Sequence, residues 1–285
     1  MNERVSMQQD ARIALMQIAR DLRMAGSYGC ATLDATNTAA SAVVTVDTSG
    51  VASAAVYQTL LSPASGTYVP FQSYADSSGG AWLGDQTASS GTDVLAVQYG
   101  RGTAQANSVV ASTGVATFSA PANRQRSYTV GQHYWVASTC QRIQLKSSAG
   151  LASSGVTASL GVDTSGADIM DFVSRAYFVN ASNALVMTEL GQSGSLVGPS
   201  ELISRVTGFT VEYGEIKDAD RAGCLVTYRK RSSVSNWRNV STVRITLSVQ
   251  SRNQVPLAST GVNGFLTQTY QTTAAIRGKQ CYKSS

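Results

Sequence analysis

Ala11, Leu15, Ile18, Leu22 and Ala25 recur at spacings of four and three residues. On a helix these positions form one apolar stripe, and the pattern predicts a continuous amphipathic helix over residues 3–25. Arg12, Arg20 and Arg23 lie largely off the stripe, while Met7, Met16 and Met24 read as packing residues of the same helix. No Pro or Gly interrupts the run until Gly26, which stands where a helix C-cap is expected. A single helix that leads into a Ser/Thr-rich β region is an unusual layout, and it points to a helix that takes part in an assembly.

Beyond Gly26 the hydrophobic period shortens to two. Short strands are predicted at 42–46 and 51–60, with a turn at Asp47-Thr48-Ser49-Gly50 between them. Residues 62–92, with Gly79-Gly80 and many serines, read as a long surface loop. In 93–99, Leu95, Val97 and Tyr99 fall on one face. Gly100 and Gly102 around Arg101 read as a turn. Strands are expected at 134–138 and 141–146, on either side of Cys140. The strands 175–179 and 185–189 are joined by Asn180-Ala181-Ser182-Asn183, a hairpin signal. Segments 202–206 and 209–213 follow, then the cleanest alternation in the chain. There Val243, Ile245, Leu247 and Val249 share one face, and Thr242, Arg244, Thr246 and Ser248 the other, which is the mark of a half-buried antiparallel strand. A last strand is expected at 266–276. The fold class is α+β: residues 1–26 as a helix, and 27–285 as a globular domain of antiparallel sheet with long loops.

Charged residues make up 14% of the 285-residue chain, well below the usual quarter, and Ser, Thr, Ala, Gly and Asn fill the gap. A surface of that kind is neutral and hydrogen-bonding, as is common outside the cytoplasm. The four cysteines, Cys30, Cys140, Cys224 and Cys281, form no CxxC pair and have no clustered histidine, so zinc is not indicated. Their even count and wide spacing suit two disulfides in an oxidising compartment. Of the three pairings, Cys30–Cys140 with Cys224–Cys281 is favoured, and chain entropy sets roughly 4–5 kcal/mol as the upper expectation for each. No run of 18 apolar residues is present, so nothing in the sequence reads as a membrane-spanning helix.

Candidate chemistry is sparse. The net charge of +5 concentrates at Arg229-Lys230-Arg231, with Arg221 and Arg238 nearby. Beside Trp237 these cations are candidate DNA contacts, because rings next to cations form single-strand platforms; the alternative is a solvated loop between two strands and a core tryptophan. His133 is the sole histidine and reads as structural beside Tyr134 and Trp135. Glu215, Asp218 and Asp220 offer oxygens to calcium but lack the spacing of an EF-hand loop. No acid, base and nucleophile converge, so neither an enzyme nor a bound cofactor is expected.

The segment Asp10-Ala11-Arg12-Ile13-Ala14-Leu15, followed by Ala19-Arg20-Asp21-Leu22-Arg23-Met24-Ala25-Gly26 and Gly29-Cys30, resembles the end of the long helix in PilW-type minor pilins of type IV pili. Ser27-Tyr28 shifts the usual aromatic by one position. Residues 93–99, 201–214 and 237–247 resemble that family's strands, and Ala275-Ile276-Arg277 resembles its closing motif with Gly278 in place of Asn. The resemblance implies a type IV pilin-like fold. It also implies a precursor with a short basic leader and about 25 apolar residues ahead of Asn2, which would anchor the subunit in the inner membrane until extraction into the pilus. The implied partners are other minor pilins (PilV, PilX and FimU/FimT types), the major pilin and a PilY-type tip adhesin. Arg12, Leu15, Ile18, Arg20 and Leu22 are the residues expected to pack against neighbouring subunits. A minor pseudopilin of type II secretion and a DNA- or surface-binding tip module are the alternatives.

Overall fold

A computed structural model describes residues 2–29, 31–32, 44–47, 71–75, 80–110, 115–118, 135–138, 143–146, 151–152, 155–159, 168–191, 195–216, 225–256 and 263–276. The chain opens with helix α1 (Asn2–Met24), within a residue of the periodicity. Gly26 ends it with φ of +74°, a left-handed conformation that suits glycine. Gly26 N–H then donates to the Gln98 carbonyl at 2.9 Å, which ties the helix exit to a neighbouring strand.

The strands that follow are β1 (Ser27–Tyr28), β2 (Ala31–Thr32), β3 (Val44–Asp47) and β4 (Phe71–Ala75). After the short helix α2 (Gly80–Leu83) come β5 (Asp93–Val110), β6 (Val115–Phe118), β7 (Trp135–Ser138), β8 (Ile143–Lys146), β9 (Leu151–Ala152) and β10 (Gly155–Ser159). The remainder are β11 (Asp168–Val179), β12 (Leu185–Leu190), β13 (Leu196–Ile203), β14 (Val206–Ile216), β15 (Val226–Arg229), β16 (Val240–Pro256) and β17 (Asn263–Ala275). A small sheet runs in the order β15-β14-β16-β17, and a large one is centred on β5 and β11. The pairings are antiparallel except β3 with β8, which is parallel. The α+β class holds, therefore, with one exception to the expected antiparallel rule.

The core follows from two kinds of strand. Over Phe209–Tyr213 of β14 and Val243–Val249 of β16 alternate residues are buried: Phe209, Val211 and Tyr213, and Val243, Ile245, Leu247 and Val249. They meet the α1 stripe of Ala11, Leu15, Ile18, Leu22 and Ala25 in one cluster, as the alternation predicted. Over Val94–Tyr99 of β5 and Val173–Val179 of β11 both faces are covered. Leu95, Val97, Tyr99, Val173, Tyr177 and Val179 face the helix side, while Val94, Ala96, Ala176 and Phe178 face a second cluster around Trp82.

That second cluster corrects the surface-loop reading of 62–92. Tyr74, Trp82 and Leu83 are buried because the outer face of the large sheet is apolar and needs a cover, while Phe71 is buried in the helix-side core. The Gly100–Gly102 turn is also corrected: β5 runs straight through it. Ala104 and Arg101 pair with Ile169 and Asp171, so one extra residue of β5 is accommodated as a bulge, with Gly102 at φ of +76°. The expected strand 202–206 is cut at Ser204-Arg205, where the chain crosses from the large sheet to the small one and Arg205 takes φ of +60°. The hairpin at Asn180–Asn183 forms as expected. The Asn180 side-chain carbonyl accepts from Ser182 N–H at 3.1 Å and Ala184 N–H at 3.0 Å, with Asn183 left-handed. The predicted strand 51–60, the turn after Asp47 and all four cysteines lie outside the described residues.

Ile18 is fully enclosed, whereas Ile13, on the same helix, is 61% exposed. Ile18→Ala is expected to lower unfolding stability in urea by about 2–5 kcal/mol, and Ile13→Ala by about 0.5 kcal/mol or less.

Candidate functional site: the helix, its buried anchor and its outer face

One acidic residue interrupts the buried side of α1. Met7, Ala11, Ala14, Ile18, Asp21 and Ala25 follow alternating steps of four and three, so Asp21 holds a core position, and it is 2% exposed. Three partners from the large sheet converge on it. Tyr99 of β5 donates its hydroxyl to Asp21 Oδ1 at 3.0 Å. Tyr177 and Arg175 of β11 donate to Oδ2 at 2.5 and 3.0 Å. Arg175 also pairs with Glu189 of β12 at 2.8 Å, and Arg101 lies 3.9 Å from the same carboxylate. The alternation of β11 explains the gathering, since 173, 175, 177 and 179 all face the helix.

The electrostatics are those of a closed buried network. Burial, then the Asp21 charge, pushes the Tyr99 phenol well above its ordinary value. Tyr177 is pushed up in the same way. Burial alone would lower the Arg175 pKa, but Asp21, Tyr99 and Glu189 raise it overall, so the guanidinium stays charged. With Asp21 buried and held by three partners, the cluster fixes the helix against the large sheet. Sequence reasoning missed it, although the signal was present in an Asp at a seam position of an otherwise apolar stripe.

The other face of α1 is the opposite case. Val5, Ile13 and Met16 are 49%, 61% and 57% exposed. Arg12, Arg20 and Arg23 are exposed around them. The residues expected to pack against other subunits therefore divide. Leu15, Ile18 and Leu22 are consumed by the chain's own core, because the two sheets cover the stripe completely. Arg12 and Arg20 alone of that set face outward. Met7 packs inward and Met24 packs partly against the core, whereas Met16 departs from the expected packing role.

The basic run is more engaged than a solvated loop. Arg229 lies 3.3 Å from Glu215, and the Arg231 guanidinium sits 4.7 Å above the Tyr74 ring. Lys230 is exposed between them. Trp237 is half-buried and packs edge-on to Tyr213, with ring centres 4.8 Å apart. The side chain of Arg238, together with Arg221, His133, Asp218 and Asp220, lies outside the described residues. The Glu215 carboxylate accepts Ser235 N–H at 3.2 Å and Asn236 N–H at 2.5 Å. Among the described residues no group of three His, Cys, Asp or Glu could hold a metal ion. No helix there is long and apolar enough to cross a membrane.

Residues 174–280 match the family model of type IV pilus-assembly protein W. A type IV-like pilin from Thermus thermophilus is similar over 52% of this chain and 85% of its own, at 16% identity and a TM-score of 0.26, a score too low to speak for the fold. No curated protein matches the chain significantly. The matched region contains Arg175, Tyr177 and Glu189 of the buried network and all four strands of the small sheet; Asp21 and Tyr99 precede it.

Removing the Asp21 carboxylate takes the buried acceptor from Tyr99 and Tyr177 and leaves Arg175 with Glu189 alone as its ion-pair partner. Asp21→Ala is expected to lower stability to urea by about 3–5 kcal/mol. A second expectation concerns alkali. Unfolded phenols ionise near pH 10, whereas Tyr99 and Tyr177 keep their protons in the folded chain. The unfolded state therefore binds fewer protons above that pH, and stability falls as pH rises through it. Tyrosinate absorbance of these two rings should appear only together with loss of circular dichroism.

Proposed function

We infer, from a chain of PilW type over residues 174–280, that this protein is a non-enzymatic minor pilin subunit of the type IV pilus, and that α1 docks it into the assembly through its outer face. The observation that carries this reading is the face itself. Three large apolar side chains, Val5, Ile13 and Met16, stand exposed on the side of α1 turned away from the core, framed by Arg12, Arg20 and Arg23. A lone exposed apolar residue needs no explanation, but several on one face of one helix mark a contact surface. A partner that fits would offer an apolar stripe with carboxylates beside it. Helices of neighbouring pilins are the natural occupants, with other minor pilins (PilV, PilX and FimU/FimT types), the major pilin and a PilY-type tip adhesin as the partners.

In this reading the subunit sits at or near the pilus tip, where it primes assembly and helps support the adhesin. Before assembly it would reside at the inner membrane, held by an apolar segment that precedes α1. Cys30–Cys140 and Cys224–Cys281 would close the two disulfides in the periplasm.

The test is Ile13→Glu with Met16→Glu in the native full-length protein. Both residues are outside the core, so melting of the globular domain is expected to stay within a few degrees of the parent. Surface pili recovered by shearing are expected to fall severalfold. Unchanged piliation together with absence of the native protein from sheared pili would overturn the reading. Mass spectrometry of the native N-terminus from the same material should show about 25 apolar residues ahead of Asn2.

A further inference from the structure

A cleft of about 460 Å³ opens where the two sheets meet, within the usual size of small-molecule sites. Tyr74 of β4 and Asp93, the first residue of β5, line it from the large sheet. Lys230, Arg231, Ser232 and Trp237 line it from the turns that follow β15 and precede β16. The junction is built into the strand lengths. β15 covers β14 only at Tyr213–Ile216, and beyond that point the Val211 N–H is taken by Asp93 Oδ2 at 2.7 Å. One carboxylate thus closes the sheet edge and at the same time faces the cleft.

We propose that this cleft binds a sugar residue bearing a carboxylate, of the uronic acid kind found in acidic polysaccharides. The donor and acceptor inventory selects it. An ionised Asp93 is an acceptor only, so the ligand must present donors to its remaining lone pairs. Lys230 and Arg231 are donors only and outnumber the single carboxylate of Asp93, so an anionic acceptor on the ligand suits the cleft. A phosphodiester offers acceptors alone and would leave Asp93 without a donor. An ammonium would satisfy Asp93 but stand beside two cations. Sugar hydroxyls are neutral donors, and a ring carboxylate supplies the anion.

Two further features fit a pyranose. Trp237 presents a large ring braced from behind by Tyr213, a rigid wall for the apolar face of a sugar. Arg231 is held over Tyr74 at 4.7 Å, which fixes its guanidinium at the rim before any ligand arrives. Burial raises the Asp93 carboxyl pKa, while the hydrogen bond from Val211 and the charge of Lys230 oppose the rise and favour the carboxylate. The inference is independent of the pilin reading, since it requires neither a pilus nor a partner subunit.

The experiment is isothermal titration of the full chain with glucuronate, with glucose, and with a short single-stranded oligonucleotide. Glucuronate is expected to bind in the millimolar range and glucose several-fold more weakly. Asp93→Asn, which keeps an acceptor for Val211 N–H, is expected to weaken glucuronate about tenfold. Lys230→Ala, an exposed change that leaves the fold intact, is expected to narrow the preference for glucuronate over glucose to about twofold or less. Absence of glucuronate binding by the parent overturns the proposal. So does glucuronate affinity unchanged by both variants, and so does oligonucleotide binding that glucuronate fails to displace.

Discussion

A single carboxylate sets the position of the helix on the sheets. The apolar side of α1 is made of small and medium side chains, and burial alone is indifferent to a slide of one helical turn, about 5.4 Å. Asp21 removes that freedom. Displaced by a turn, it would lose Tyr99, Tyr177 and Arg175 together, and the two buried phenols would lose the carboxylate that accepts from them. Ion pairs of this kind contribute little net stability compared with a well-packed apolar substitute, but breaking one is costly. Their use here is to specify one register. The register in turn places Gly26 against Gln98, which sets where the chain enters β1.

The same geometry decides which surfaces are left over. Val94–Tyr99 of β5 and Val173–Val179 of β11 are covered on both faces, by α1 and the small sheet on one side and by the Trp82 segment on the other. The small sheet has only one covered face. The crossing at Ser204-Arg205 carries the chain from one kind of sheet to the other, and the short reach of β15 along β14 leaves the cleft beside Asp93. The outer helix face and this cleft lie on different elements and differ in character: one is apolar with cations around it, the other a polar hollow with a ring for a wall.

Much of the architecture was legible because it obeys simple periods. The stripe from Ala11 to Ala25 and the alternation from Val243 to Val249 each require only one buried side, and both formed as read. The Asn180–Asn183 hairpin was legible from turn chemistry. What could not be read was burial on two sides. Val94 to Tyr99 gives the same alternating signal whether or not the intervening positions are covered, and nothing local announces that Trp82 folds back to cover them. The candidate site was legible in part. The cations from Arg229 to Arg231 stood out, but their pairing with Glu215 and Tyr74 depends on contacts across the fold. Leu15, Ile18 and Leu22 were visible as an apolar face, yet which partner takes that face is a tertiary fact. The PilW resemblance was readable in residues 201–247, and the family match from 174 to 280 covers that stretch.

Asp21 has a counterpart at the other end of the helix. Glu3 accepts from Arg252 N–H at 3.1 Å and from the Asn253 side chain at 2.6 Å, near the tip of the β16–β17 ribbon. The two clamps stand about 27 Å apart along α1 at 1.5 Å per residue. One grips the small sheet and the other the large one. A tensile load applied along the helix axis would therefore reach both sheets at once, and the bonds between would be strained in parallel rather than opened one after another. The helix is in this sense a tie rod: what it draws on is the whole domain.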